Sequence, residues 1–452
     1  KIRTKIKKEK KNKKTFNNQS LDHIKNKIDF ELTLDQLNSI SEINKDLKSS
    51  QKMFRLLQGD VGSGKTIVAL ISSLNVVNSG FQVSFMAPTE ILAKQHYNLA
   101  KKIFPKNINI DLLTSKTEYK DRKNILENLN KNKIKVLFGT HSLFQDKIVY
   151  KKLGLIVIDE QHKFGVKQRK RLSDKGGKNC DVLVMSATPI PRTMVMTIFG
   201  DMDVSIIKEK PKNRKDIITY SKLETKVDEV LSFINKQILN KKQIFWVCPL
   251  IEESKKVEHQ SSIERYKFLE KKYINKVGLV HGSLEKNKRN KVLQDFLNRK
   301  IDILVSTTVI EVGIDFPNAN VIVIENANKF GLSQLHQLRG RVGRGSVQSY
   351  CILLFKSNLS ENAKKRINIL KNTNDGFKIS EEDMKLRGYG DLLGFKQSGL
   401  QSFRLADPVI NEDLFILAEK QTKKLETENV NLDKYHSLLK LYDRADILND
   451  IA

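Results

Sequence analysis

Short apolar runs alternate along this chain with stretches whose apolar residues return at helical spacing. Met53–Leu57, Phe81–Met86, Lys135–Phe138, Leu155–Ile158 and Asp181–Met185 read as buried strands. Between them, Ile67–Leu74 and the stretch that follows Ala87-Pro-Thr-Glu90, through Gln95, read as helices. The strands run into polar clusters: Ala87–Glu90, Gly139-Thr140-His141, Asp159-Glu-Gln-His162 and Ser186-Ala-Thr-Pro189. In an open α/β sheet the carboxyl ends of the strands are where ligands bind. Residues 30 to about 208 therefore read as a parallel, doubly wound sheet. A charged break containing Pro211 follows, and the alternation restarts at Gln243–Cys248, Val277–Val280, Ile303–Ser306, Val321–Ile324 and Tyr350–Leu354. From about residue 361 the pattern turns helical, with glycine interruptions at Arg387-Gly-Tyr-Gly390 and Gly394.

One stretch gives the first sheet a chemistry. Gly59-Asp-Val-Gly-Ser-Gly-Lys-Thr66 fits G-x-x-x-x-G-K-[ST], with the strand before it and the helix after it that the motif requires. The glycines Gly59, Gly62 and Gly64 let the backbone, with Val61 and Ser63, wrap a phosphate chain at a helix N-terminus. Lys65 would reach the β- and γ-phosphates and the Thr66 hydroxyl would ligate Mg²⁺. The stretch is a nucleoside triphosphate site. Upstream, Phe30 and Gln36 could sandwich adenine and read its edge, and Thr33 is a candidate helix N-cap. The second α/β unit has no phosphate loop of its own, so the pair suggests a motor with a nucleotide between its units.

Other clusters extend this chemistry. Asp159 would hold the metal and Glu160 would orient or deprotonate the attacking water. In Gln337-Leu-Arg-Gly-Arg-Val-Gly-Arg344, Arg341 and Arg344 lie on one face if helical and could stabilise charge on the γ-phosphate, with Gln337 beside them. Thr307 and Thr308 could bond nucleic-acid phosphates, and Gly313 and Asp315 could contact the nucleotide. Thr89, Thr140 and His141 carry the same double meaning, a polymer contact or a satisfied loop residue.

Composition adds less. At 452 residues the chain has length for about three domains. Its net charge of +29 suggests a polyanionic partner, although a genome biased toward Lys, Asn and Ile would produce the same excess. The first fourteen residues hold nine basic ones, a run expected to be a solvated arm. Cys180, Cys248 and Cys351 stand far apart, which argues against a zinc site or a disulfide framework. No apolar run reaches membrane-spanning length.

Taken in order, the phosphate loop, Asp-Glu-Gln-His, Ser-Ala-Thr and Gln-Leu-Arg-Gly-Arg-Val-Gly-Arg resemble a superfamily 2 helicase. Asp159–Arg169, Met185–Thr193 and Met384–Gly399 narrow the resemblance to the RecG family, from about residue 30 to about 425. The resemblance implies two tandem RecA-like P-loop domains, 30–210 and 211–358, after a basic linker at 1–29 and before a helical hairpin region at 359–452. It implies ATP- and Mg²⁺-driven translocation on duplex DNA that remodels stalled forks and Holliday junctions, with Arg387 and Gln397 as coupling residues. It further implies a monomer in the bacterial cytoplasm at the nucleoid, with single-stranded DNA-binding protein as a partner and no membrane role. Departures are Lys163 for a usual Arg, Tyr389 for a usual Pro, and Gly282-Ser-Leu284 where Gly-Arg-Met is common. The family's wedge domain would precede residue 1, so the chain reads as a motor half. A transcription-repair coupling factor-like translocase, an ATP-gated clamp and an RNA helicase are the alternatives. The Gln161-His162 ending favours RecG over the first, Glu160 with the two arginines argues against the second, and the hairpin against the third.

Overall fold

The computed structural model describes residues 10–427, apart from 18, 146, 160–176, 188–201, 212–213, 250–254, 308–315, 344, 346 and 388–410. The chain forms two units that divide at Glu209/Lys210, with the loop tip Asp60–Ser63 grouped in the second and the described residues past 410 grouped in the first.

The first unit is built on seven strands: β1 (Phe54–Gly59), β2 (Gln82–Met86), β3 (Ile110–Leu113), β4 (Val136–Gly139), β5 (Leu153–Ile158), β6 (Asp181–Ser186) and β7 (Asp203–Ile207). They lie in the order β3-β4-β2-β5-β6-β1-β7, and every pairing is parallel. A parallel sheet needs helical cover on both faces, which explains why its inner strands are buried along nearly their whole length and mostly apolar. Alternate residues serve opposite sides. Leu57, Phe85, Val157 and Met185 join one core, with Ile40 and Ile43 of α2 (Leu34–Lys48) and Val68 and Ile71 of α3 (Lys65–Asn78). Leu56, Met86, Ile156 and Val184 join the other, with Ile125 and Leu129 of α5 (Tyr119–Asn130). Among the described residues before Lys210 the other α-helices are α1 (Gln19–Lys25) and α4 (Glu90–Ile103), preceded by its cap Thr89.

Two lysines of the basic arm depart from the solvated run expected of it, while Lys10 and Lys13 are exposed and residues 1–9 lie outside the described residues. Lys11 and Lys14 are buried, and their Nζ atoms donate to the two oxygens of Asp181 at 2.6 and 2.5 Å. Asp181 Oδ1 also accepts from the Met53 amide at 2.7 Å. Burial pushes the Lys11 ammonium down from its usual value against the pull of Asp181. A buried carboxylate needs charge and hydrogen bonds around it, and these lysines supply them. A run of basic residues read only by composition conceals this pairing.

The second unit has six strands: β8 (Ile218–Leu223), β9 (Gln243–Val247), β10 (Val277–Val280), β11 (Ile303–Ser306), β12 (Ala319–Ile324) and β13 (Tyr350–Phe355). Their order is β10-β11-β9-β12-β13-β8, again all parallel. Trp246, Val305 and Val323 pack on one side with Leu231 and Ile234 of α6 (Val227–Leu239). Phe245, Phe296 and Phe316 form an aromatic cluster, with ring centroids 5.2–5.4 Å apart. Helices α7 (Lys255–Lys272), α8 (Lys286–Leu297), α9 (Leu332–Arg339), α10 (Glu361–Asn372) and α11 (Gly376–Arg387) complete the unit. A last helix, α12 (Glu412–Thr427), is grouped with the first unit.

The two units repeat one device. The first residue of β2, Gln82, donates from Nε2 to the carbonyls of Leu129 and Ile134, both at 2.8 Å. The first residue of β9, Gln243, donates in the same way to Phe296 and Ile301, at 2.6 and 2.7 Å. Leu129 and Phe296 are the penultimate residues of α5 and α8, and Ile134 and Ile301 each stand two before the next strand. Between them, Asn132 and Arg299 turn the chain at φ 60° and 58°. Each glutamine thus clasps a helix-to-strand turn from the neighbouring strand.

Candidate functional site

The phosphate loop leaves the carboxyl end of β1 and enters α3, as its sequence requires. Gly64 takes the N-cap position at φ 85°, a left-handed conformation costly for a residue with a Cβ. A Cβ there would also lie 2.2 Å from Nε2 of Gln36. With no side-chain cap on α3, its first turn is suited to an anion. Lys65 is buried and its Nζ donates to the Gly59 carbonyl at 2.7 Å, so its ammonium stays within the loop. Thr66 follows in the same turn, half-buried. Gln36 is buried and closes a capping box with Thr33 at the start of α2, its Oε1 accepting the Thr33 amide at 3.0 Å. Phe30 is exposed just ahead of it.

Asp159 follows β5 at the carboxyl end of the same sheet, and its amide donates to the Met86 carbonyl of β2 at 2.9 Å. It is 8% exposed, and its Oδ2 lies 2.9 Å from Nε2 of His96 on α4. The hydroxyl of Thr66 and the carboxylate of Asp159 are hard oxygen donors, the set that suits Mg²⁺. His96 occupies Oδ2 and, among the described residues, nothing bonds Oδ1, which fits a metal ligand. Glu160 lies outside the described residues.

Within the second unit, Asp60 is buried, and its Oδ1 bonds Nε2 of His336 at 2.8 Å and the Val61 amide at 2.6 Å. Burial pushes the carboxyl up, but the hydrogen bond and charge of His336, the Val61 amide and Lys210 outweigh it and hold it at about 2. Arg214 donates to the carbonyls of Val61 and Gly343 at 2.5 and 2.7 Å. A Cβ on Gly62, at φ 76°, would run into that guanidinium. Ser63 is buried in the same loop. Arg339 is buried as well; its Nη1 donates to the carbonyls of Leu370 and Thr373 at 2.7 and 2.9 Å, and its Nη2 lies 3.0 Å from Nδ1 of His336.

The run Gln337–Arg344 is not one helical face. Helix α9 stops at Arg339 and Gly340 is its C-cap, so Arg341, buried at 4% exposure, lies past the helix end. Two glycines in four residues are poor helix formers, which the three-residue spacing alone obscures. Gln337 is half-buried on α9, and Arg344 lies outside the described residues.

The strand-end hydroxyls divide by environment. Thr89 caps α4, its side chain accepting from the Leu92 amide at 3.3 Å. Thr140 is half-buried at the N-cap of the 3₁₀ turn His141–Phe144 without a side-chain cap bond, and His141 opens that turn. Thr307 is buried, and its Oγ1 has no partner among the described residues. Arg387 ends α11, while Thr308, Gly313, Asp315 and Gln397 lie outside the described residues. His96, Asp60, His336 and Arg339 were not legible in advance. Each acts through a partner remote in sequence; for His96, His336 and Arg339 only their polar positions on helical faces hint at this, and for Asp60 nothing in the loop motif does.

Two consecutive parallel α/β units, the first carrying a phosphate loop, define a helicase-type nucleoside triphosphatase. The DEAD/DEAH box helicase model matches residues 33–197 and the helicase conserved C-terminal domain matches 212–346. The model for ATP-dependent DNA helicase RecG, domain 3, C-terminal, matches 373–436. The ATP-dependent DNA helicase RecG of Bacillus subtilis (strain 168) is 48% identical over 397 residues, 87% of this chain and 58% of the relative. That of Aquifex aeolicus (strain VF5) is 46% identical over 444 residues, 96% of this chain and 56% of the relative. A solved RecG bound to a three-way DNA junction superposes with a TM-score of 0.78 at 42% identity, covering 92% of this chain and 54% of that one. The chain belongs to the RecG family of ATP-dependent DNA helicases. It spans between half and two thirds of the length of these relatives.

Proposed function

We propose that this chain is an ATP-driven motor that moves on double-stranded DNA and remodels branched DNA such as stalled forks and Holliday junctions. The observation that carries this reading is the 42% identity, over 92% of the chain, to a RecG solved on a three-way DNA junction. In it, the first turn of α3 and Lys65 bind the triphosphate, with Gln36 and Phe30 at the base end. Thr66 and Asp159 hold Mg²⁺, which would neutralise phosphate charge as the bond breaks. Glu160 orients water, and Gln337, Arg341 and Arg344 stabilise charge developing in the transition state. Gly313 and Asp315 contact the nucleotide. Thr89, Thr140, His141, Thr307 and Thr308 touch the DNA backbone without reading sequence, and Arg387 and Gln397 tie the cycle to duplex movement. The motor acts as a monomer in the bacterial cytoplasm, at the nucleoid, where single-stranded DNA-binding protein is its partner.

The deciding experiment compares steady-state ATPase with three-way junction DNA, linear duplex and RNA. Junction DNA should stimulate most, and Lys65→Ala should lower the stimulated rate by roughly 100-fold or more. Stimulation by RNA alone, or an unchanged rate in Lys65→Ala, would reject the proposal.

A further inference from the structure

Asp159 is not held by its own strand alone. Its amide is fixed to β2 through the Met86 carbonyl, at 2.9 Å, and that bond sets the backbone. Its carboxylate would still be free to rotate about two side-chain torsions. The contact that removes this freedom comes from α4, where His96 is 5% exposed and aims Nε2 at Oδ2 from 2.9 Å. The ring is itself fixed, packed against Phe85 of β2 with centroids 5.0 Å apart and planes at 52°. An ionised carboxylate only accepts, so the imidazole Nε2 carries the proton in this bond. One oxygen is thereby committed and, among the described residues, the other is left to a cation.

We propose that His96 is a positioning residue for the metal, holding Asp159 in the rotamer that presents Oδ1 to Mg²⁺. This rests on the ATPase reading above. Carboxylates that ligate metals are commonly held by hydrogen bonds from behind, and loss of such a partner costs about 10- to 100-fold in metal affinity or activity. The helix that supplies His96 starts at Glu90 behind its cap Thr89, which stands seven residues before the histidine, so the ring stands about 10 Å along α4 from the cap. Its anchorage comes from the sheet and the helix, not from a loop.

The test measures binding in the full chain, apart from turnover. A fluorescent non-hydrolysable ATP analogue is titrated in chelator and again in Mg²⁺, and the ratio of the two Kd values reports the metal. In His96→Leu, the chelator Kd should stay within about 2-fold while the Mg²⁺-dependent gain shrinks by about 10-fold or more. His96→Gln, whose amide can donate to Oδ2, should keep most of the gain. His96→Asn, one methylene shorter, should lose it even if His96→Leu fails to fold. An unchanged gain in His96→Leu, equal gains in the Asn and Gln variants, or an equal loss of chelator affinity would overturn the assignment. If the unaltered chain itself gains nothing from Mg²⁺, the ATPase reading falls instead.

Discussion

Asp60 shows how much one side chain inside the phosphate loop contributes beyond phosphate binding. Its carboxyl sits at about 2 in the folded chain, against 3.8 for an ordinary aspartate. A depressed carboxylate stabilises the fold fully above its unfolded value and loses that contribution as the pH falls through the folded one. The depression is equivalent to about 2 kcal/mol. Asp60→Asn should therefore unfold about 2 kcal/mol more easily at neutral pH, and the gap should close between about pH 4 and pH 2. Denaturant titrations at several pH values check this; a gap independent of pH would mean the charge is not what His336 holds. At this scale the sequence was informative where chemistry is local. The placement of Lys65 and Thr66 in the first turn of α3, and of Asp159 just past β5, follows from a contiguous motif and a strand end. His96 and His336 do not, because their partners stand 63 and 276 residues away.

At the scale of the element, the strands found from the apolar pattern were mostly inner ones, whose two covered faces leave long uninterrupted runs. The missed strands β3, β7 and β8 are all sheet edges. Their burial is mixed, so charged and polar residues such as Asp111, Asp203 and Lys222 break the run. The repeated glutamine clasp was also hidden. A Lys-Ile pair does stand at matching places, Lys133-Ile134 and Lys300-Ile301, but only the hydrogen bonds give it meaning. Gln82→Leu leaves two buried carbonyls without their donor and should cost about 2–4 kcal/mol. Amide hydrogen exchange should then rise around β2 and β4, and in Gln243→Leu around β9 and β11. Equal loss of protection in both units from either change would show that the clasp does not act locally.

For the whole molecule, the alternation of strand and helix was enough to foresee two tandem parallel sheets, because that pattern admits few other architectures. The net charge of +29 was harder to use, since it names no residue. Its expected signature is a steep salt dependence. Affinity for duplex DNA should fall by roughly 10³ or more between about 50 and 200 mM salt, as for about six or more phosphate contacts. A fall of less than about tenfold in a fluorescence anisotropy titration would show that the excess is not spent on phosphates. Part of it plainly is not, because Lys11 and Lys14 are committed to Asp181. That commitment has a mechanical side. The two lysines and the Met53 amide share one carboxylate, and Met53 stands immediately before the strand that delivers the phosphate loop. Tension on the chain ahead of Lys10 is therefore borne at the root of β1, one strand's length from the triphosphate site, before it can peel the helices that cover the sheet.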